Sequence, residues 1–185
     1  MHGSPARYRA LVSSLLATGA VLDPGMVYFD ARLSASYPTV EVRVADVSQD
    51  VRHTVLLAGL VRGLVDTAAA QWRDGQASPD VPAVVLRGAS WRASRHGLGE
   101  TLVHPSTGEL ADAGVVVRDL VEHVAPALAD NEDLDAVGEG VEQLLRSGTG
   151  ADEQRRVHSR RGRLDDVVRA AVETTQRGSD RLEGE

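Results

Sequence analysis

The sequence predicts an α+β protein in which a short antiparallel strand pair packs against several helices. Two segments, 26–33 and 39–45, alternate apolar and polar side chains, and the loop between them contains Ser and Pro. After residue 50, apolar residues recur mainly with the spacing of a helix. Aromatic residues make up only 3% of the chain, so the core must be built from Leu, Val and Ala.

Ser4 and Pro5 are a typical helix cap and first helical residue, and this first helix stops at Gly19. Further helices are predicted at about 51–72, 83–96, 113–129, 134–146 and 151–176. A tight turn at 105–108 joins two short extended pieces within 102–110. We expect a single domain over 1–176 and a disordered tail over 177–185. Because a two-stranded sheet is marginal alone, part of the sheet is expected to come from elsewhere.

Composition excludes several kinds of chemistry. The chain has no Cys, which excludes disulfides and thiolate chemistry. It has no Lys, which excludes a Schiff-base lysine and a P-loop, so phosphate could be bound only by Arg, backbone amides or a metal ion. A net charge of −7 argues against nucleic-acid binding. No apolar stretch approaches the ~20 residues of a membrane span, and we expect a soluble, cytoplasmic protein.

The segment 39–46 contains the main candidate site. In a strand, Val40, Val42 and Val44 point to one face and are expected to pack against helices. Glu41 and Arg43 then lie together on the opposite face. Alternation therefore predicts a carboxylate beside a guanidinium on one side of the sheet.

The preceding strand has the same pattern, because Tyr28, Asp30 and Arg32 share a face. Pairing of the two strands would gather charged groups of both signs on one surface. One interpretation is an exposed face with salt bridges, each worth about 0–1 kcal/mol. The other is a platform for a metal ion and a nucleotide, since carboxylates bind Mg²⁺ and Arg binds phosphate.

Five segments together resemble the bacterial type 2 glutamate–cysteine ligases, also called carboxylate–amine ligases. Residues 28–32 resemble that family's aromatic-Asp-x-Arg strand, and residues 39–43 its Thr-Val-Glu-x-Arg strand. The other matching segments are a helix at 58–62, the Trp-Arg-Ala-x-Arg motif at 91–98 and a Gly-x-Gly-Ala turn at 148–151. The chain departs from the family at Asp152 and Glu153, where a basic residue is usual.

The resemblance implies a fold similar to glutamine synthetase and an ATP-dependent, Mg²⁺-requiring synthesis of γ-glutamyl amides. The carboxylate of glutamate would attack ATP to give an acyl phosphate, and an amine such as that of cysteine would capture it. Roles follow by position in the motifs. The resemblance implies metal ligands Glu41 and Asp30, catalytic Arg43 and Arg32, and ATP-binding Arg43, Arg92 and Arg95.

The resemblance covers only the C-terminal half of such a ligase, so we expect the isolated chain to be inactive. A polypeptide corresponding to the N-terminal half, or a second copy of the chain, is the expected protein partner. Two alternatives remain open: a non-catalytic remnant, and an Arg-rich interaction module built on the basic segment 155–163. That segment could also be a solvated helix whose charges are compensated by nearby acidic residues. Trp91 is expected in the core.

Overall fold

The computed structural model describes residues 4–34 and 36–182. The chain forms two compact units, one ending at Val47 and the other beginning at Ser48. Most of the structure is helical, with two small antiparallel strand pairs, which agrees with the predicted α+β class. The single domain over 1–176 and the likeness to glutamine synthetase stay predictions.

The first unit contains helix α1 (Pro5–Ala17), a 3₁₀ turn (Pro24–Met26) and strands β1 (Ala31–Leu33) and β2 (Val40–Val42). The predicted cap of α1 is confirmed, because Ser4 Oγ accepts a hydrogen bond from the Arg7 amide at 3.2 Å. Tyr8 is buried and meets Phe29 edge to face, with ring centroids 6.0 Å apart. One aromatic pair thus contributes to the interior of this unit.

Strands β1 and β2 pair antiparallel with Arg32 opposite Glu41, and we call this pair the ribbon. Its strands are shorter than predicted. The first begins only at Ala31, after a 3₁₀ turn that Asp23 caps by accepting a hydrogen bond from the Gly25 amide at 2.7 Å. The second ends early, although the Arg43 amide still donates to the Asp30 carbonyl at 2.8 Å.

The prediction that the three valines pack against helices is wrong. Val40, Val42 and Val44 are all exposed. Within the described part of this unit α1 is the sole α-helix, and Tyr8 is its only buried residue. One helix with so little buried surface cannot cover the valine face.

The second unit begins with α2 and contains a second hairpin. Its elements are α2 (Val51–Arg73), α3 (Ala83–His96), β3 (Thr101–Val103), β4 (Leu110–Asp112), α4 (Ala113–Asp130), α5 (Leu134–Ser147), α6 (Gly150–Arg161) and α7 (Leu164–Leu182). The predicted turn between two extended pieces is confirmed, because β3 and β4 pair antiparallel with Leu102 opposite Ala111. This hairpin packs on α3 and α4.

The last predicted helix, over 151–176, is in fact two helices. Gly162 separates α6 from α7 with a left-handed backbone (φ +66°), and its amide donates to the His158 carbonyl at 2.7 Å. Glycine adopts this conformation without the strain of a Cβ, so it ends α6. Helix α7 continues to Leu182 where the sequence predicts a disordered tail, and residues 183–185 lie outside the described residues.

The core of the second unit lies where α2 packs on α4 and α5. Its buried side chains are all aliphatic, as the composition predicts: Leu56, Leu60, Val124, Leu128, Val137 and Val141. Gly59 and Gly63 are also buried on α2 and let the helices approach closely. Asp50 begins α2 by accepting from the Arg52 amide at 2.9 Å, and hydrogen bonds from the Arg52 side chain hold the pKa of Asp50 at about 2.

Helix α2 is long and apolar enough, by length and composition alone, to cross a membrane, and no other helix in the described residues passes that test. The sequence analysis expects no such span. Core helices of soluble proteins pass the same test, and α2 is one side of the core formed with α4 and α5.

We expect Gly59→Ala to destabilise the second unit. A Cβ at Gly59 would lie 2.7 Å from Val137 Cγ2, so either the Val137 side chain must rotate or the helices must separate. Overpacking of this kind costs about 1–3 kcal/mol. The matched control is Gly138→Ala in α5, where a Cβ would meet nothing within 4 Å and should stabilise by about 0.5–1 kcal/mol. Urea unfolding followed by circular dichroism measures the stability of both variants. Equal urea midpoints for Gly59→Ala and Gly138→Ala would contradict the expectation.

Candidate functional site

The charged face of the ribbon holds a compact cluster of three side chains. Arg32 Nε donates to Glu41 Oε2 at 2.7 Å, and a second guanidinium nitrogen of Arg32 lies 2.7 Å from the same oxygen. Arg43 approaches the other oxygen, with its Nη1 3.4 Å from Glu41 Oε1. We call these residues the Arg–Glu–Arg cluster. The prediction that Glu41 and Arg43 share a face within reach of Arg32 is confirmed.

The two arginines of the cluster differ in their other contacts. Arg32 also donates to the Gly25 carbonyl at 2.6 Å, and its side chain is only 16% exposed. It ties the 3₁₀ turn to the ribbon. Arg43 is 35% exposed, and its guanidinium carbon lies 5.0 Å from the centroid of the Tyr28 ring. Arg43 is therefore the more accessible cation, held in place by Glu41 and by a cation–π contact.

The cluster is too exposed to contribute much to stability. Glu41 is 44% exposed, and ion pairs in such positions are worth about 0–1 kcal/mol. The Arg32 guanidinium and the backbone pairing of the ribbon hold Glu41 in one place all the same. The result is an oriented carboxylate flanked by two cations on an open surface.

The described residues do not form a magnesium site by themselves. Mg²⁺ prefers octahedral coordination by oxygen, yet no three Asp, Glu or His residues in the described part of the chain are close enough to hold a metal ion. Both oxygens of Glu41 already face guanidinium groups. Asp30 immediately precedes β1, and its backbone carbonyl accepts a hydrogen bond from the Arg43 amide. These residues alone therefore do not fit a magnesium ion.

The other two predicted ATP-binding residues lie on α3. Arg92 is partly buried and donates to the Thr101 carbonyl at 2.8 Å and to the Thr101 hydroxyl, which joins α3 to β3. Arg95 is exposed and lies over the Trp91 ring, 5.7 Å from its centroid. The prediction that Trp91 is in the core is wrong, because α3 has no buried residue among its fourteen. The ATP-binding roles of both arginines stay predictions.

Asp152, one of the two acidic residues that depart from the family pattern after the turn at 148–151, has a structural role. The Asp152 carboxylate accepts from the Thr149 amide and hydroxyl, each at 2.8 Å, and the Asp152 amide completes a capping box for α6. These hydrogen bonds, led by the one from the Thr149 amide, lower the pKa of Asp152. The Thr-x-x-Asp spacing in the sequence is a signal for this cap, although the cap was not predicted.

The basic segment after this turn is compensated by acidic partners, as one of its interpretations predicts. Its ion pairs join Arg155 to Asp152, Arg156 to Glu153, Arg161 to Asp166 and Arg163 to Asp165. A surface of alternating charge does not favour a polyanionic ligand. No observation in the described residues therefore supports a nucleic-acid role for this segment.

An open groove of about 1610 Å³ runs beside the starts of α2 and α6, along α5 and α7. The sequence analysis did not predict it. Its lining mixes cations such as Arg52 and Arg177 with acids such as Glu139 and Glu142. This mixture favours no single class of ligand.

Comparison with known proteins agrees with the motifs. The family described as glutamate–cysteine ligase family 2 matches residues 1–174, and the chain belongs to this family. A protein of Streptomyces coelicolor, named provisionally as glutamate–cysteine ligase 2, is 53% identical over 176 residues, covering 95% of this chain and 48% of that protein.

Relatives from two other species give similar coverage. A provisional glutamate–cysteine ligase 2-2 of Frankia alni is 52% identical over 94% of this chain and 45% of its own length. A provisional glutamate–cysteine ligase 2-1 of Paenarthrobacter aurescens is 44% identical over 98% of this chain and 47% of its own length. The chain thus spans about half the length of the curated relatives it matches.

Proposed function

We propose that this chain supplies part of the catalytic site of an ATP-dependent carboxylate–amine ligase of the glutamate–cysteine type. The family match over 1–174 supports the class of reaction. The observation that carries the proposal is the Arg–Glu–Arg cluster, which presents an accessible guanidinium held in place by Glu41. Glutamate and an amine such as that of cysteine are the proposed substrates.

The proposed reaction has two steps. An oxygen of the glutamate γ-carboxylate attacks the terminal phosphorus of ATP, and the bond to the departing ADP oxygen breaks. The amine nitrogen then attacks the acyl carbon, phosphate leaves, and the nitrogen loses a proton to give the amide. Carboxylate and ATP are both anions, so the first step needs cations placed in advance.

Within this scheme we assign different roles to the two arginines. Arg43, accessible and stacked on Tyr28, would bind the anionic phosphoryl group or a substrate carboxylate. Arg32, bound to Glu41 and to the Gly25 carbonyl, would position Glu41 and so Arg43. The predicted Mg²⁺, which would neutralise phosphate charge when bound, needs oxygen ligands beyond those that Glu41 and Asp30 offer.

The test is reconstitution, measured by coupled ADP release with glutamate and cysteine present. We expect the 185-residue chain alone to give no turnover, and co-expression with the part of the Streptomyces coelicolor relative outside the matched region to give glutamate- and cysteine-dependent turnover. That part expressed alone is the control. Turnover by the lone chain would contradict the expected incompleteness. A stable complex without turnover would instead support the non-catalytic remnant.

A further inference from the structure

Helix α2 carries an apolar stripe on its outer side. Val61, Val65, Ala68 and Trp72 recur at i, i+4, i+7 and i+11, a spacing that places them on one face. Val65 and Ala68 are exposed, and Trp72 is 79% exposed. We call these four residues the outer stripe of α2.

The opposite face of the same helix is already used. Leu56, Gly59 and Gly63 are buried toward α4 and α5, and their helical positions lie on the far side from Val61 and Val65. A helix that is apolar on both faces is typical of a protein interior with neighbours on both sides. In the described residues α2 packs along this inner face on α4 and α5, and its contact with α7 lies at its start, where Gly178 approaches Val51.

The two tryptophans of the chain point to a missing neighbour. Trp72 is 79% exposed and Trp91 is 64% exposed, while the core of the second unit is entirely aliphatic. Tryptophan is costly to leave in water and is enriched among the residues that dominate protein interfaces. A partner surface that covers Trp72 would therefore gain substantially from contact with the outer stripe.

We infer that the outer stripe of α2 packs against the part of a family-2 ligase that this chain does not span. The match covers 48% of the Streptomyces coelicolor relative and 45% of the Frankia alni relative. Each relative therefore contains about as many residues outside the matched region as inside it. This identification of the partner rests on the proposed ligase function. The occupant is thus a polypeptide segment that continues the ligase core, on the same chain or on another.

Two other occupants are less consistent with the structure. A lipid bilayer would have to surround α2, but its inner face is in the protein core and Arg62 binds the carboxylate of Asp133. A second copy joined through the stripe alone would contact only about 17 Å of one helix, whereas a stable interface buries roughly 800 Å² on each partner. As one part of a larger ligase core, the stripe does not need to bury that area by itself.

The absence of cysteine allows a direct test. Val65→Cys places a single thiol on the outer stripe, and Val168→Cys places a matched control thiol on the exposed side of α7. Maleimide labelling of each variant is followed by mass spectrometry, alone and after co-expression with the part of the Streptomyces coelicolor relative outside the matched region. We expect similar rates in the isolated chain. In the complex, labelling should slow at least about tenfold at residue 65 and change by less than about twofold at residue 168.

Trp72→Glu provides a second measurement, because this exposed residue can change without unfolding the chain, as circular dichroism would verify. It should reduce co-purification of the ligase segment at least about tenfold. The inference is overturned if no complex forms, or if both thiols stay equally reactive or become equally protected. Protection of residue 65 that grows with the concentration of the isolated chain would identify a second copy as the occupant. Protection only by phosphatidylcholine vesicles would identify a membrane. Either result would overturn the inference.

The same samples separate this inference from the proposed function. Protection of residue 65 without ADP release would support the interface and contradict the ligase activity. ADP release with residue 65 unprotected would support the activity and overturn the interface. Each proposal can therefore fail without the other.

Discussion

Glu41→Gln is expected to lower the turnover of the reconstituted ligase by about 100- to 1000-fold, the usual effect of losing a group that organises charge at a reacting phosphate or acyl centre. The glutamine keeps the size of the side chain but removes the charge that pairs with Arg32 and Arg43. Without that charge Arg43 loses one of the two contacts that orient it. The ribbon itself should persist, because its strands are joined by backbone hydrogen bonds.

The measurement is kcat and KM for ATP and glutamate by ADP release, at several Mg²⁺ concentrations. An unchanged Mg²⁺ dependence with a higher KM for ATP would indicate that Glu41 acts by positioning Arg43. A higher Mg²⁺ requirement would indicate a metal-ligand role completed by the rest of the ligase. The matched control is Glu100→Gln, an exposed glutamate 3.0 Å from His96, which should change turnover by less than about twofold. Equal turnover of Glu41→Gln and wild type would contradict the assigned site.

Leu128→Ala is expected to destabilise the second unit by about 2–5 kcal/mol. Leu128 lies on α4 and is fully buried against α2, and its side chain covers Gly63, where an added Cβ would lie 3.0 Å from Leu128 Cδ2. Removing the leucine leaves a cavity that the packed helices can close only in part. Leu64→Ala on the exposed side of α2 is the control and should cost less than about 1 kcal/mol.

A double variant tests the contact between Gly63 and Leu128 directly. Gly63→Ala alone should destabilise through its close approach to Leu128 and Val124, by about 1–3 kcal/mol. When Gly63→Ala is combined with Leu128→Ala, the added methyl group enters the space that the leucine leaves. The double variant should therefore lose less free energy of unfolding than the sum of the losses in the two single variants. Urea denaturation of the four proteins measures the coupling. Strict additivity would contradict the contact between these residues.

Several features of the fold could be predicted from sequence because they depend on neighbours a few residues away. The ends of α2, α3, α4 and α5 agree with the predictions to within a residue or two, since caps, glycines and apolar spacing act locally. The pairing of Arg32 with Glu41 and the approach of Arg43 follow from strand periodicity once the two strands pair. The glycine at 162 also acts locally, so the end of α6 could have been read from the sequence, although one continuous helix was predicted over 151–176.

Other features were decided only by tertiary structure, because burial depends on which surfaces meet. Alternation placed Val40, Val42 and Val44 on one face, but nothing local determines whether a helix covers that face, and they are exposed. Likewise the spacing of Arg92 and Arg95 does not show that Arg92 binds Thr101, since that contact requires α3 to pack on β3. The sequence by itself determined where α2, α3, α4 and α5 begin and which charges share the ribbon. Tertiary packing decided which apolar faces are covered, because that depends on surfaces distant in the chain.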